Sequence, residues 1–302
     1  MNSDQIKQLY QLRDRSVRVL SNDGFFRAVC IKNTKTAIEA QTRHKLSFFQ
    51  SALMARALAA SSLLASFLKG EERVIIELEG NGPVKRVYAE SLQLGEVRGF
   101  VNYDKSYDYN NIANISDLLG LGLLKITKIM YNKKNPVTGL VPLVKGDVST
   151  DLANYFLFSE QIPVVVNLDV SLDDDGMIKQ SGGFIIQAMP GYSKDALAEL
   201  YEKTKNISNL SHYFENRLNP MEVLKEVLPF EFHLIGSTQI DFFCRCSKEN
   251  FMGKLTTLNV EEIEDMKFKG ENELACQYCG NKYHLDDKDF DTIITEMKAR
   301  KN

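Results

Sequence analysis

The chain has 302 residues, 44% hydrophobic and 25% charged, with five cysteines and a formal net charge of −3. That describes an ordinary soluble globular protein with room for a sizeable core and about two folded units. The acidity sits at one end: residues 241–302 carry 10 Lys/Arg and 13 Asp/Glu, while residues 1–240 carry 27 of each, which argues against a phosphate- or nucleic-acid-binding tail.

The opening MNSDQIKQLYQLRDRS is polar and lacks an apolar leader, so secretion is not expected and a cytoplasmic location is. Residues 17–31 read as a hairpin turning at Asn22-Asp23-Gly24. Ser47 to Leu68 is the longest apolar stretch and is long enough to suggest a membrane span. Arg56 near its middle would cost about 2.5–3.5 kcal/mol in a bilayer, so a buried soluble helix capped by Gly70 is expected. Short β-type runs follow at Arg73–Leu78, Lys85–Glu90, Val97–Tyr103, Leu123–Tyr131, Val164–Leu172 and Met177–Met189. Gly80-Asn81-Gly82-Pro83, Gly95 and Asp173-Asp174-Asp175-Gly176 supply turns; the last lacks the ligand spacing of a calcium loop. Val148–Phe158 fits a helix starting near Asp147, and Gly120-Leu121-Gly122 is too short a signal for a phosphate loop. Beyond Pro190, Ser193–Thr204 and Met221–Leu228 look helical, the second opened by Asn219 and Pro220. Their apolar stripes need a surface to lie on, because such short helices are marginal alone.

Four of the five cysteines fall within 36 residues: Cys244 and Cys246 as C-x-C, 29 intervening residues, then Cys276 and Cys279 as C-x-x-C. Two close thiolate pairs on separate turns supply the tetrahedral soft ligands of a closed structural zinc site, with no open position for catalytic water. His284 lies five residues beyond Cys279 and is a competing ligand. Cys30 is isolated and reads as a small core residue. A module of about 60 residues rarely gains more than ~3–5 kcal/mol from its own core, whereas structural zinc contributes on the order of 10–16 kcal/mol. The tail should therefore unfold without its metal. Metal-bound thiolates are also the oxidisable form of cysteine, which makes the site a candidate redox switch.

With these residues in view, the chain resembles the heat-shock protein 33 family of redox-regulated holdase chaperones. The resemblance is nearly end to end: Thr36–Ala40 and His44, Leu68-Lys69-Gly70-Glu71, Gly80-Asn81-Gly82-Pro83, Gly95-Glu96-Val97-Arg98-Gly99-Phe100, Ser159-Glu160-Gln161-Ile162-Pro163, Gly182-Gly183-Phe184 through Gln187, and above all the two cysteine pairs. It implies an α+β protein: an N-terminal domain of crossed β-sheets with helices over 1–190, a metastable helical linker over 191–240, and a small C-terminal four-cysteine zinc domain over 241–302. It further implies one zinc ion per reduced chain on Cys244, Cys246, Cys276 and Cys279. Oxidation would then form the Cys244–Cys246 and Cys276–Cys279 disulfides, release zinc, loosen the linker and give dimers that hold unfolding client proteins without ATP. No catalytic residues, nucleic acid or membrane enter that picture. The chain departs from the family pattern at Asn250, where a basic residue is usual, and over Asp104–Asn114, which does not align. Two rival readings are a nucleic-acid-binding zinc module, disfavoured by the acidic tail, and a thiol–disulfide oxidoreductase resting on Cys276-x-x-Cys279, disfavoured because Gly280-Asn281 follows rather than a helix.

Overall fold

The computed structural model describes residues 13–109, 112, 114–207, 209–216 and 218–300. Residues 1–12, on which the expectation of no secretory leader rests, lie outside that set, as do 110, 111 and 113 of the unaligned 104–114 stretch. The chain divides into two compact units, one ending at Phe243 and one beginning at Cys244.

The first unit opens with the expected hairpin, β1 (Arg15–Ser21) and β2 (Phe26–Lys32). The Asp23 carboxylate accepts from the Ser21 hydroxyl and the Phe25 N–H, and Gly24 takes φ +79° to close the turn. Helix α1 (Thr34–His44), which the sequence reading does not assign, precedes α2 (Phe48–Ala65). The latter ends earlier than expected, and Gly70 is not its cap. Ser66 closes the helix, Phe67 and Leu68 follow in tight i−3 turns, and the positive φ of Gly70 serves the next loop, against Tyr131.

Strands β3 (Arg73–Gly80), β4 (Val84–Leu92), β5 (Glu96–Tyr103), β6 (Gly122–Ile129) and β7 (Val137–Pro142) follow, then α3 (Val148–Tyr155), β8 (Val164–Leu172) and β9 (Ile178–Ala188). At the Gly80-Asn81-Gly82-Pro83 turn, a Cβ on Gly80 or Gly82 would lie 2.0 or 2.4 Å from the Leu119 or Leu118 carbonyl oxygen, so glycine is required there. Helices α4 (Lys194–Thr204), α5 (Leu210–Glu215) and α6 (Pro220–Val227) lead to β10 (Phe232–Gln239) and β11 (Asp241–Phe242). The six-stranded sheet has the order β11-β5-β4-β3-β6-β7, the five-stranded sheet β10-β1-β2-β9-β8. Only β11, parallel to β5, breaks the antiparallel pattern.

Helix α2 packs against β3, β4 and β5 of one sheet and β2, β8 and β9 of the other. Fifteen of its 18 residues are buried, which explains why its sequence is apolar on every side. Arg56, the residue that spoke against a membrane span, reaches the rim and pairs with Asp147 at 3.1 Å. Asp147 also accepts the Thr150 N–H as the N-cap of α3. That helix continues through Phe156–Glu160 as a π-turn.

The opposite face of the five-stranded sheet is covered by the helices after Pro190. Val17, Val19, Phe26, Ala28, Phe184 and Ile186 meet Leu200, Leu210, Phe214, Val223, Leu224 and Val227. Asn219 and Glu222 form a capping box around Pro220 at the start of α6. Burying each large apolar side chain contributes roughly 1.5–3 kcal/mol, so the sheet, rather than intrinsic propensity, holds these short helices. The 191–240 segment is not helical throughout, since 232–239 form β10 along β1. Cys30 is fully buried in this layer, a core residue whose thiol is pushed up by burial.

The second unit comprises α7 (Lys248–Leu255), α8 (Val260–Lys269), β12 (Glu273–Ala275), β13 (Lys282–His284) and α9 (Asp287–Arg300). Its buried cluster is small: Val260, Ile263, Leu285, Phe290, Ile293 and Met297.

Asp14, buried ahead of β1, accepts the Thr36 N–H at 2.7 Å and so caps α1 from a distance of 22 residues. The Asn33 side chain at the N-cap position is turned instead to Ala55 and Ser181. Burial raises the Asp14 carboxyl from 3.8 to about 6, against opposing hydrogen bonds from Thr36 and Lys35 and the charge of Lys32. A raised carboxyl pKa means the folded state holds the proton longer than the unfolded state. This group's contribution to stability therefore falls as pH rises from about 4 to about 6, by at most ~3 kcal/mol. Asp14→Asn, which keeps an acceptor for Thr36, should flatten that slope without loss of stability at neutral pH. Asp14→Ala should flatten it and lose about 1 kcal/mol of capping. Urea midpoints measured from pH 4 to 7 report both.

Candidate metal centre

Cys244, Arg245 and Cys246 lie in irregular chain immediately before α7, whose N-cap Ser247 accepts the Asn250 N–H. Cys276 and Cys279 occupy the connection between β12 and β13, which pair antiparallel from Glu273↔His284 to Ala275↔Lys282. This turn is built by its backbone: the Cys276 N–H donates to the Asn281 carbonyl at 2.8 Å, and the Gly280 N–H donates to the Cys276 carbonyl at 2.8 Å. Gly280 takes φ +71°, a conformation that favours glycine. The C-x-x-C thus sits on a hairpin turn, not at the start of a helix.

The fold brings all four sulfurs within 4.8 Å of one another. Cys244 Sγ lies 3.8 Å from Cys276 Sγ, and Cys246 Sγ 3.4 Å from Cys279 Sγ. A tetrahedral ion with metal–sulfur bonds of about 2.3 Å needs sulfurs separated by ~3.8 Å. The cluster meets that requirement, and the four close cysteines could hold a metal ion. None of the five cysteines is joined in a disulfide. Cys276 and Cys279 are buried and Cys244 and Cys246 half-buried. Among the described residues, this is the one grouping of three or more His, Cys, Asp or Glu side chains that could hold a metal. His284 is not part of it; the imidazole is exposed, with Nε2 3.8 Å from Glu273 Oε2.

Burial raises Cys279, whose neighbours Cys246 and Cys276 add to the effect. Burial also raises Cys246, but hydrogen bonds from Tyr283 and the other cysteines outweigh it and leave that thiol below its ordinary value. Of these two sulfurs, Cys246 is the better supported as a thiolate.

Two supporting residues complete the site. Asn250 Nδ2 donates to the Arg245 carbonyl at 3.1 Å, so the residue at the family's departure point holds the backbone between the first two cysteines. Tyr283, which the sequence reading passes over, donates its hydroxyl to the Cys246 carbonyl at 3.0 Å and lies 3.1 Å from Cys246 Sγ. Tyr283 is an ordinary strand aromatic in sequence, and no signal short of the hairpin register singles it out.

Comparison with known proteins follows the same lines. A profile of the family described as Hsp33 protein matches residues 14–286. The 33 kDa chaperonin of Geobacillus kaustophilus is 34% identical over 93% of this chain and 97% of its own length. That of Staphylococcus haemolyticus is 33% identical over 95% and 99% respectively. The crystal structure of the 33 kDa chaperonin of Thermotoga maritima, a heat shock protein 33 homolog, superposes with a TM-score of 0.86 at 27% identity, covering 95% of this chain and 99% of that one.

Reduced protein should bind one thiophilic divalent ion per chain. Cys279→Ser should weaken binding by more than about a hundredfold, beyond the cost of losing a partner that merely orients a ligand. Cys30→Ala should leave it unchanged. Equilibrium dialysis against a chelator buffer measures all three.

Proposed function

The chain belongs to the Hsp33 family, whose members are chaperones rather than enzymes, and from that premise we propose that it is a redox-regulated, ATP-independent holdase. In the reduced state Cys244, Cys246, Cys276 and Cys279 hold one zinc ion, which supplies the cross-link that the tail's own core cannot. The observation that carries this reading is the meeting of four sulfurs within 4.8 Å in a unit whose buried core is six apolar residues.

Oxidation consumes the ligands. Two thiolates surrender two electrons to one peroxide molecule and join as a disulfide; the peroxide, with two protons, leaves as two waters. The proposed pairs are Cys244–Cys246 and Cys276–Cys279. In the reduced cluster the close sulfur contacts run between the arms, from Cys244 to Cys276 and from Cys246 to Cys279. Once the arms part, only partners on the same arm remain tethered, by one and two intervening residues. With the donors spent, the tail loses stabilisation on the order of 10 kcal/mol and unfolds.

The linker over 191–240 is the proposed element released next. Lifting α4, α5 and α6 would uncover two apolar faces at once: Val17, Val19, Phe26 and Phe184 on the sheet, and Leu200, Phe214, Val223 and Leu224 on the helices. Such faces suit unfolding client proteins, and pairing of two chains would bury part of them, so the oxidised form is proposed to dimerise. The cytoplasm, where thiols stay reduced until stress, is the proposed compartment.

Zinc-loaded protein treated with peroxide at elevated temperature should release one equivalent of zinc while gaining the ability to suppress aggregation of a heat-denatured client. Equal suppression by reduced and oxidised protein would remove the switch from this reading while leaving the chaperone.

A further inference from the structure

The two arms of the cysteine cluster are held by different means. The Cys276–Cys279 arm is fixed by backbone hydrogen bonds of its own hairpin turn. The Cys244–Cys246 arm has no regular secondary structure, and side chains grip its carbonyl groups: Asn250 at Arg245 and Tyr283 at Cys246. Asn250 belongs to the adjoining helix α7, so its grip is local. Tyr283 belongs to β13, the strand leaving the other arm, and its hydroxyl reaches across 37 residues of sequence to both the carbonyl and the sulfur of Cys246.

We propose that Tyr283 is the positioning residue that latches one arm to the other, placing Cys246 Sγ at the cluster and setting how tightly the tail keeps its metal. This rests on the reading of the four cysteines as a metal site. One hydroxyl proton serves two acceptors there. When Cys246 is a neutral thiol, its S–H donates to the Tyr283 oxygen, and the Tyr283 hydroxyl donates to the Cys246 carbonyl. When Cys246 is a thiolate ligand, the hydroxyl donates to the sulfur or to the carbonyl without changing place. A hydrogen bond to the sulfur draws charge from the thiolate and lowers its reactivity toward electrophiles, while the carbonyl bond fixes the backbone that aims it.

Packing does not account for the residue. Tyr283 is only half-buried and stands outside the tail's apolar cluster, which takes Leu285 from the same face of the strand extension. Its ring touches Phe251 at 5.5 Å, a contact that phenylalanine would make equally well. What tyrosine adds is the oxygen, which meets the Cys246 carbonyl and sulfur as well as the Asn281 side chain.

The test uses full-length, reduced, metal-free protein titrated with Co2+ in competition with a chelator, for wild type, Tyr283→Phe and Phe251→Leu. Wild type should bind one Co2+ with a thiolate-to-cobalt charge-transfer band. Tyr283→Phe should bind about 10–100-fold more weakly, with a shifted band, and its zinc-loaded form should yield its metal faster to a thiol-blocking reagent. Phe251→Leu, which keeps the hydroxyl, should leave the band in place. Wild-type affinity and spectrum in Tyr283→Phe would overturn the latch and leave the metal site standing. So would a Phe251→Leu band displaced as far as that of Tyr283→Phe, because packing would then explain the effect. A wild type that binds no Co2+ would overturn the metal reading and the latch together.

Discussion

Everything distinctive in this chain depends on four sulfur atoms converging at one point in a unit that has little else to hold it. Six buried apolar side chains, supplied by two helices and the residue after a short hairpin, are a small core for some 59 residues beyond Phe243. A core of that size leaves little margin over the conformational entropy of ordering the chain. The converging cysteines are therefore the tail's other candidate source of stability. The supporting contacts are arranged accordingly. Backbone bonds fix the C-x-x-C turn, and Asn250 and Tyr283 hold the C-x-C carbonyls.

The first unit solves the opposite problem, having apolar surface to spare. Helix α2 is apolar all round because it lies between two sheets, and β2 and β9 are apolar on both faces because the five-stranded sheet is itself covered twice. Val29, Ile31 and Ile185 face α2, while Ala28, Cys30, Phe184 and Ile186 face the helices after Pro190. Alternation along one strand thus serves two separate layers. The inner layer cannot be removed without destroying the fold. The outer layer rests on short amphipathic helices that are marginal alone, and it is the layer that the proposed release would lift.

The strands were readable where alternation and glycine turns coincide. β3, β4, β5, β8 and β9 lie within two residues of their expected bounds, and Asn219-Pro220 marks the start of α6 as its capping chemistry requires. The elements that the sequence does not reveal lack local contrast. Only Thr34, Thr36, Ala37, Ala40 and Gln41 are buried in α1, so no large apolar stripe marks it. β7 contains both Gly139 and Pro142, and β10 is largely exposed with Gly236 inside it, so neither reads as a strand until its partner is known. The sequence does not mark the end of α2, because a helix buried on all sides has no polar face whose loss would signal its stop. At the cluster, the cysteines were legible from spacing alone. Tyr283 was not, since its part depends on the β12–β13 register, which sets it opposite Leu274 and within reach of Cys246.

Chain connectivity constrains how a change at the cysteines can reach the outer layer. Between Cys244 and α6 lie β11 and β10, and these pair in different sheets. β11 pairs with β5 over two residues only, and its Phe242 packs on the core beside His44 and Arg43; β10 pairs along the whole of β1. A disturbance entering at Cys244 meets β11 first and then a full edge strand. In the proposed switch, loss of the tail's fold would reach β11 before β10, and α4, α5 and α6 would stay seated until β10 peels from β1 or thermal motion loosens the helices directly. On the proposed switch, this order of attachment calls for two inputs, chemical at the sulfurs and thermal at the sheet. A cysteine-only trigger would have to strip β11 from β5 and then β10 from β1, where the pairing runs from Arg15↔Gln239 to Ser21↔Phe232.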